Sequence, residues 1–233
     1  MAENELLKLM KMIVDERMKT VYTAIPAHVL AFDPALQQAQ IELGILRTDV
    51  NGVVSVPPPI IKCPVLFCGQ GFSLEHEINP GCEGLAIFSQ RCIDGWVTTG
   101  GTADNPLARF HDMQDALFIP GFRPEPTVIK NFQNSGIRLR NAEGSQFVWM
   151  KPDGSIVVEN GKGHIRMDAE GNVTINRVTF FVDGRVSSPN GITTQGDVSA
   201  GGVSVMRHTH SGVIAGGDNT GAPNGVSNEG TKT

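Results

Sequence analysis

The stretch from Ile137 to Ile175 decides the fold, and it reads IRLRNAEGSQFVWMKPDGSIVVENGKGHIRMDAEGNVTI. Short apolar segments alternate in it with polar turns that end in glycine, at Gly144, Gly154, Gly163 and Gly171. A turn every eight to ten residues is typical of a β-repeat. Glycine suits these turns because it adopts a positive φ without a Cβ penalty. We therefore predict a run of short strands joined by tight turns.

Such a repeat needs a neighbour, because isolated four-residue strands bury too little apolar area to be stable. The neighbour is either the next coil of a solenoid or further copies of the same chain. The pattern continues through residues 191–199 with tighter turns. A narrowing array favours an intertwined trimer over a solenoid, whose cross-section stays constant. We predict a triple-stranded, homotrimeric β-helix shaft over residues 127–205 and a distinct apex over residues 206–233.

Two different patterns precede the repeat. Residues 3–19 place apolar side chains at helical spacing, which predicts a short amphipathic helix within a segment 1–19. Residues 20–126 alternate short apolar runs with turns, and the predicted strands are 21–30, 39–46, 65–67, 84–88 and 116–119. Five short strands suit a small closed barrel, so we predict an OB-fold and an all-β fold class.

Composition excludes several classes of function. The net charge of the 233 residues is −5 and no basic block is present, which argues against nucleic-acid binding. The four cysteines, at positions 63, 68, 82 and 92, include no Cys-x-x-Cys pair, so we expect reduced thiols in a protein made in a cytoplasm. No apolar run reaches the length of a membrane span, so any contact with a membrane comes from outside.

His208 and His210 are the candidate metal ligands. In an extended strand, residues two apart point to the same side. A His-x-His pair in a polar tail is by itself more often solvated than bound, and two imidazoles make a poor metal site. A threefold axis brings six imidazoles together, which suits an octahedral ion such as iron(II) or nickel. Such a site is closed, so its role is to hold three chain ends together.

The sequence around these histidines resembles a known family. The motifs HTHSGV, from His208, and GGDNTGAP, ending at Pro223, resemble the apex of the central spike proteins of contractile-tailed bacteriophage baseplates. The resemblance implies one iron ion, Fe²⁺, per trimer, with His208 and His210 of each chain supplying two of its six ligands. The N-terminal part resembles the OB-type domain of one branch of these spikes, through segments 64–72, 79–84, 89–96 and 109–112.

Other polar residues are weaker candidates. His76 and Glu77 are adjacent and are predicted to be a loop or surface pair. His111 and Asp112 have no nucleophile motif beside them and are predicted to form a hydrogen-bonded structural corner. His164, in a repeat strand, is predicted to be exposed or stacked on its trimer mates. No catalytic residue is predicted.

The resemblance implies a function in the virion. It predicts a homotrimeric spike at the tip of the tail baseplate, attached to the hub protein, that pierces the host outer membrane during tail contraction. One alternative is a trimeric adhesin that binds a surface glycan, which the aromatic content of 6% disfavours. Another is a metal-dependent hydrolase, which needs an open coordination position that a six-histidine site lacks.

Overall fold

The computed structural model describes residues 5–49 and 51–209, together with Gly212 and Gly216. The chain divides into two compact units, Met1–Lys130 and Asn131–Thr233, which are described separately below. The domain limits expected from the sequence are finer than this division and stay predictions. No helix within the described ranges is both long enough and apolar enough to cross a bilayer.

A five-stranded antiparallel sheet forms the centre of the first unit, in the order β5-β2-β1-β6-β7. The strands of this unit are β1 (Ala24–Asp33), β2 (Gln38–Leu43), the short hairpin β3 (Arg47–Thr48) and β4 (Val54–Ser55), β5 (Ile60–Pro64), β6 (Glu83–Phe88) and β7 (Ala116–Pro120). The sheet curls so that the chain just after β5 reaches β7 at the opposite edge. Val65 forms a parallel bridge with Phe118, and the Leu66 N–H donates to the Phe118 carbonyl over 2.9 Å. This half-closed barrel confirms the all-β, OB-like prediction.

The core of the barrel lies along the inward-facing side of these strands. In β2, burial alternates strictly, so that Ala39, Ile41 and Leu43 face the interior. The Phe118 side chain is fully buried and lies against β6. A Cβ at Gly84 would lie 2.4 Å from the Phe118 ring, so this strand position requires glycine for the two strands to approach.

The prediction for the third barrel strand is wrong. The run 65–67 is not a strand, and the strand is β5, which directly follows the triple proline at positions 57–59. The reason is pairing, because β5 hydrogen-bonds to the edge of β2 with Ala39 opposite Cys63 and Ile41 opposite Ile60. The sequence also missed a short helix, α2 (Asp94–Thr99), and a 3₁₀ turn at Glu125–Thr127.

The predicted N-terminal helix is present as α1 (Glu5–Met18). Its bounds agree with the predicted residues 3–19 over the residues that the structure describes. None of its residues is buried, although apolar side chains cover about half of its circumference. The helix therefore has an apolar surface that the described part of the chain leaves exposed.

The second unit is dominated by a seven-stranded antiparallel meander, in which each strand pairs with the next. Its strands are β8 (Ile137–Arg140), β9 (Phe147–Met150), β10 (Ile156–Glu159), β11 (His164–Met167), β12 (Val173–Ile175), β13 (Val178–Phe180) and β14 (Val186–Ser187). The predicted repeat of short strands is confirmed. Within one chain it forms a single layer, and its pairing with other chains stays a prediction.

The register of this meander separates apolar from polar side chains. Directly paired residues point to the same face of a sheet. One such row contains Ile137, Met150, Ile156, Met167, Val173, Phe180 and Val186. The adjacent row contains Leu139, Val148, Val158, Ile165, Ile175 and Val178. We call these two rows the apolar face. The opposite face carries Arg138, Trp149, Val157, Arg166, Thr174, Thr179 and Ser187, and we call it the mixed face.

Several turns between the strands are held by local hydrogen bonds to aspartate or asparagine side chains. At the turn after β11, the Asn172 backbone N–H donates to Asp168 Oδ1 over 2.8 Å, and Asn172 Nδ2 donates to Oδ2 over 2.9 Å. Gly171 takes the positive φ, of 90°, that completes this turn. The hydrogen bonds from the Asn172 side chain and backbone lower the pKa of Asp168 from its ordinary value.

These turns make the second unit sensitive to acid. Folding lowers the pKa of Asp168, so the ionised carboxylate stabilises the folded state. This stabilisation is fully present above the ordinary pKa of 3.8 and is lost as the pH falls through the lower pKa of the folded state. We expect the free energy of unfolding to decrease with falling pH in that window. Asp168→Asn should lower stability at pH 7 and reduce this dependence, as measured by urea unfolding from pH 7 to pH 2. An unchanged pH dependence in the variant would show that Asp168 does not contribute.

Candidate metal-binding apex

A small hairpin carries the last described strands of the chain. It consists of β15 (Ser199–Ala200) and β16 (Val203–Ser204), with Ala200 paired to Val203. The two linking residues, Gly201 and Gly202, have φ values of 59° and 83°. Positive φ at both central positions defines the type I′ turn, which matches the twist of a two-residue hairpin. The double glycine thus produces a narrow hairpin immediately before the predicted histidines.

Asp197 and Ser204 fix the chain after this hairpin. Asp197 Oδ1 accepts from the Met206 backbone N–H over 3.0 Å, and Ser204 Oγ accepts from the Arg207 N–H over 2.8 Å. A hydrogen bond from the Ser204 side chain is the largest cause that lowers the pKa of Asp197, followed by the Met206 bond. Asp197 is therefore a carboxylate at neutral pH, and it ties the start of the apex to the turn that precedes His208.

The His208 side chain is oriented by backbone carbonyl groups. Its Nδ1 lies 2.9 Å from the Ser204 oxygen and 3.1 Å from the Val205 oxygen. Carbonyl oxygens only accept hydrogen bonds, so Nδ1 must carry the ring proton. The lone pair of the neutral imidazole is then on Nε2, the atom that a transition metal would bind. Histidine ligands of metals commonly donate the other ring N–H to a carbonyl in this way.

The second predicted ligand, His210, lies outside the described residues. Among the described residues, the fit to a metal therefore depends on His208. This residue is exposed, and its Nε2 is an imidazole nitrogen of intermediate softness with its lone pair available to a transition metal. The sequence did not identify Asp197 or Ser204 as supports of this residue. An aspartate beside Gly196 is a common cap of a turn, but its partner is nine residues away and depends on the fold.

The predicted structural corner at His111 and Asp112 is confirmed. His111 Nδ1 lies 3.1 Å from the Tyr22 carbonyl oxygen, and the Tyr22 N–H donates to the His111 carbonyl over 3.0 Å. Asp112 Oδ1 accepts from the Gln114 N–H over 2.9 Å. These bonds join the loop before β7 to the segment before β1, and they engage both side chains in structure.

The remaining histidine predictions also agree with the structure. His76 is in a loop, where its ring packs at 5.0 Å, centroid to centroid, from that of Phe67. His164 is exposed at the start of β11, opposite Glu159. Whether His164 stacks on copies of itself stays a prediction.

An ionic cluster in the barrel was not found from the sequence. Asp115 has no exposed surface, and Arg109 binds both of its carboxylate oxygens, at 3.0 Å from Nε and 2.8 Å from Nη2. Arg109 Nη2 also reaches Asp94 Oδ2 at 2.9 Å and Cys92 Sγ at 3.1 Å. The Asp115 hydrogen bonds are the main cause that raises the pKa of Arg109, so its charge is permanent. Because the guanidinium occupies the space between Cys92, Asp94 and Asp115, this group is an ion-pair network rather than a metal site.

One thiol of the barrel, that of Cys63, is deeply buried. The four cysteines form no disulfide with one another. Burial raises the pKa of the Cys63 thiol to about 12, so it is protonated at neutral pH. The burial of Cys63 and Cys92 agrees with the expectation of partly buried thiols, and their reduced state stays a prediction.

Two family models match the chain, and each covers one of the regions described above. Residues 25–121, which include the barrel strands, match the N-terminal domain of phage protein Gp138. Residues 202–224, which begin in the β15–β16 hairpin and include both predicted ligands, match the GpV apex motif. Together the two matches support a phage central spike protein. No curated protein shows a significant match to this chain.

The families matched are phage structural proteins, so the spike protein is a structural component related to the phage tail. The resemblance drawn from HTHSGV and GGDNTGAP is thereby confirmed, and so is the likeness of the N-terminal region to the barrel domain of these spikes. The first match covers the barrel strands, and the second begins in the β15–β16 hairpin and continues beyond the described residues.

The buried ion pair predicts a specific weak point in the barrel of the spike protein. Arg109→Met leaves the Asp115 carboxylate buried without its cation, which should lower the free energy of unfolding by about 3 kcal/mol. Thermal and urea unfolding measure the change. Arg91→Met is the matched control, because Arg91 is exposed and only stacks at 5.4 Å over the Phe110 ring, a contact worth about 0.5–1 kcal/mol. Equal losses in the two variants would contradict the assigned role of Arg109.

Proposed function

We propose that the protein is the homotrimeric central spike of a contractile phage tail. It would lie at the tip of the baseplate, attach to the hub protein and pierce the host outer membrane as the sheath contracts. Its work is mechanical, so it needs stiffness and a narrow point, and no enzymatic step is part of the proposal. The family matches support the spike assignment, and the shaft geometry supports the trimer.

The apolar face of the meander is the observation that carries the trimer. Residues along both of its rows are exposed in the single chain, including Ile137 at 63%, Leu139 at 56% and Ile165 at 46%. A continuous exposed apolar surface of this kind marks an interface between molecules. Three copies of one sheet, related by a threefold axis, bury their apolar faces against one another and leave their mixed faces in water.

A metal ion at the apex would join the three chain ends. His208 presents a suitable Nε2 donor, and the apex-motif match extends over His210. Three chains with two histidines each provide six nitrogens, which suit octahedral Fe²⁺. Such an ion has no open position for substrate, so its contribution is to hold the tip together.

The adhesin alternative gains no support from the aromatic residues of the shaft. A sugar-binding platform needs an open indole face. Trp149 instead lies under Lys151 Nζ, 4.7 Å from its ring centre, with the Arg138 guanidinium 5.3 Å away. Its Nε1–H donates to the Ser135 carbonyl over 2.9 Å. The ring is thus engaged within its own chain.

Native mass with elemental analysis tests the shared metal site. We expect a trimer that contains about one iron per three chains, because two histidines per chain complete one octahedral shell. The double variant His208→Ala/His210→Ala should lose the metal but stay trimeric, since the buried area is in the shaft. One metal per chain would contradict the shared site, and a monomeric double variant would show that the apex, not the shaft, holds the trimer.

A pair of neighbouring substitutions tests the shaft interface. Ile165 is on the apolar face and Arg166 is on the mixed face, and both are exposed in the isolated chain. Ile165→Asp removes about 1.5–3 kcal/mol of apolar burial per chain and places charges at the proposed threefold contact. Analytical ultracentrifugation should show dissociation for Ile165→Asp and an intact trimer for Arg166→Asp. A stable Ile165→Asp trimer would exclude this face as the interface.

A further inference from the structure

The apolar surface of α1 requires a partner outside its own fold. None of its 14 residues is buried, and the exposed fractions are 53% for Leu9, 53% for Met10, 60% for Ile13 and 58% for Val14. A lone helix of this length is marginal in water, and an amphipathic helix in a protein gains its stability from packing of the apolar side. The composition of that side indicates which partner fits.

The apolar residues of α1 follow a heptad pattern. If Leu6 occupies position d, Met10 is at a and Ile13 is at d, whereas the next a position carries the charged Arg17. The flanking e positions are then Leu7 and Val14, and Leu9 is at g. Asp15 falls at f, on the far side of the helix. Alternating steps of four and three residues are the spacing by which a helix packs against other helices in a coiled coil.

The width of the apolar stripe fits three helices better than two. In a three-stranded coiled coil each helix contacts two neighbours, so the e and g flanks are covered as well as a and d. Here Leu9 at g and Val14 at e are both apolar, where two-stranded coiled coils commonly carry charges. The stripe covers about half of the helix, as two neighbours require.

The residues at the end of α1 mark the limit of this surface. Glu16 pairs with Lys19 at 2.6 Å, and the Thr20 hydroxyl donates to the Arg17 carbonyl over 2.8 Å. Polar side chains thus close the helix where the chain leads into the barrel. The apolar stripe runs from Leu6 to Val14 and ends before Glu16 and Arg17.

We propose that the three α1 helices of the spike pack against one another as a parallel three-stranded coiled coil. The inference rests on the proposed trimer, because threefold symmetry makes the helices parallel and equivalent. Two heptads are too short to hold three free peptides together, but the shaft interface keeps the helices at a high effective concentration. The occupant of the apolar surface of α1 is therefore the same helix of the other two copies.

Cysteine cross-linking of the full-length chain tests this arrangement. The parent carries Cys68→Ser, which removes the exposed native thiol. Ile13→Cys and Met10→Cys place a thiol in the proposed coiled-coil core, and Asp15→Cys places one on its outer side. Under mild oxidation we expect both core variants to form covalently linked pairs of chains at least tenfold faster than Asp15→Cys. The parent should form none.

Native mass of each variant separates the possible failures. A trimer in which Ile13, Met10 and Asp15 variants cross-link at equal rates overturns the coiled coil and leaves the shaft trimer standing. In that case α1 serves another partner, such as the hub. A monomeric parent overturns both the coiled coil and the proposed trimer.

Discussion

The direct pairing of side chains across the shaft meander is the constraint on which the rest of the structure depends. The strands contribute one apolar set and one mixed set of side chains, and the two-residue period of a strand places these sets on opposite faces. A slip of one residue in any turn would exchange these faces. The turns therefore have to be exact in length, and local bonds such as Asn172 to Asp168 keep them so.

This constraint leaves a chain that is incomplete by itself. Among the described residues, the apolar rows of the sheet are largely exposed, and so are the apolar residues of α1. The barrel, in contrast, buries Ala39, Ile41 and Phe118 within its own fold. One part of the molecule is thus self-sufficient, while the other parts have surfaces that suit identical copies. In the proposed trimer, interlocked chains would transmit force along the axis, because no chain could be pulled away alone.

The apex depends on a different kind of interaction. No apolar core exists in the described residues around His208, which are almost all exposed. Individual hydrogen bonds fix the chain there. The Met206 N–H donates to Asp197, the Arg207 N–H donates to Ser204, and the His208 ring donates to backbone carbonyl groups. The proposed metal ion would strengthen this region, since coordination bonds would replace the missing burial.

The sequence by itself determined the β-repeat, the N-terminal helix, the barrel class and the two histidines of the apex motif. The spacing of apolar residues and the glycines of the turns are local patterns, so they can be recognised in the sequence alone. Only the tertiary structure decided that β5, and not residues 65–67, is the third barrel strand, because that choice depends on the edge that β2 offers. Only it brought Arg109 to the buried Asp115 and Asp197 to the turn before His208. The spacing of these residues along the chain follows neither the helical nor the strand period, so the sequence pattern does not reveal their contacts. The direction of each side chain becomes defined only when the backbone around it has folded.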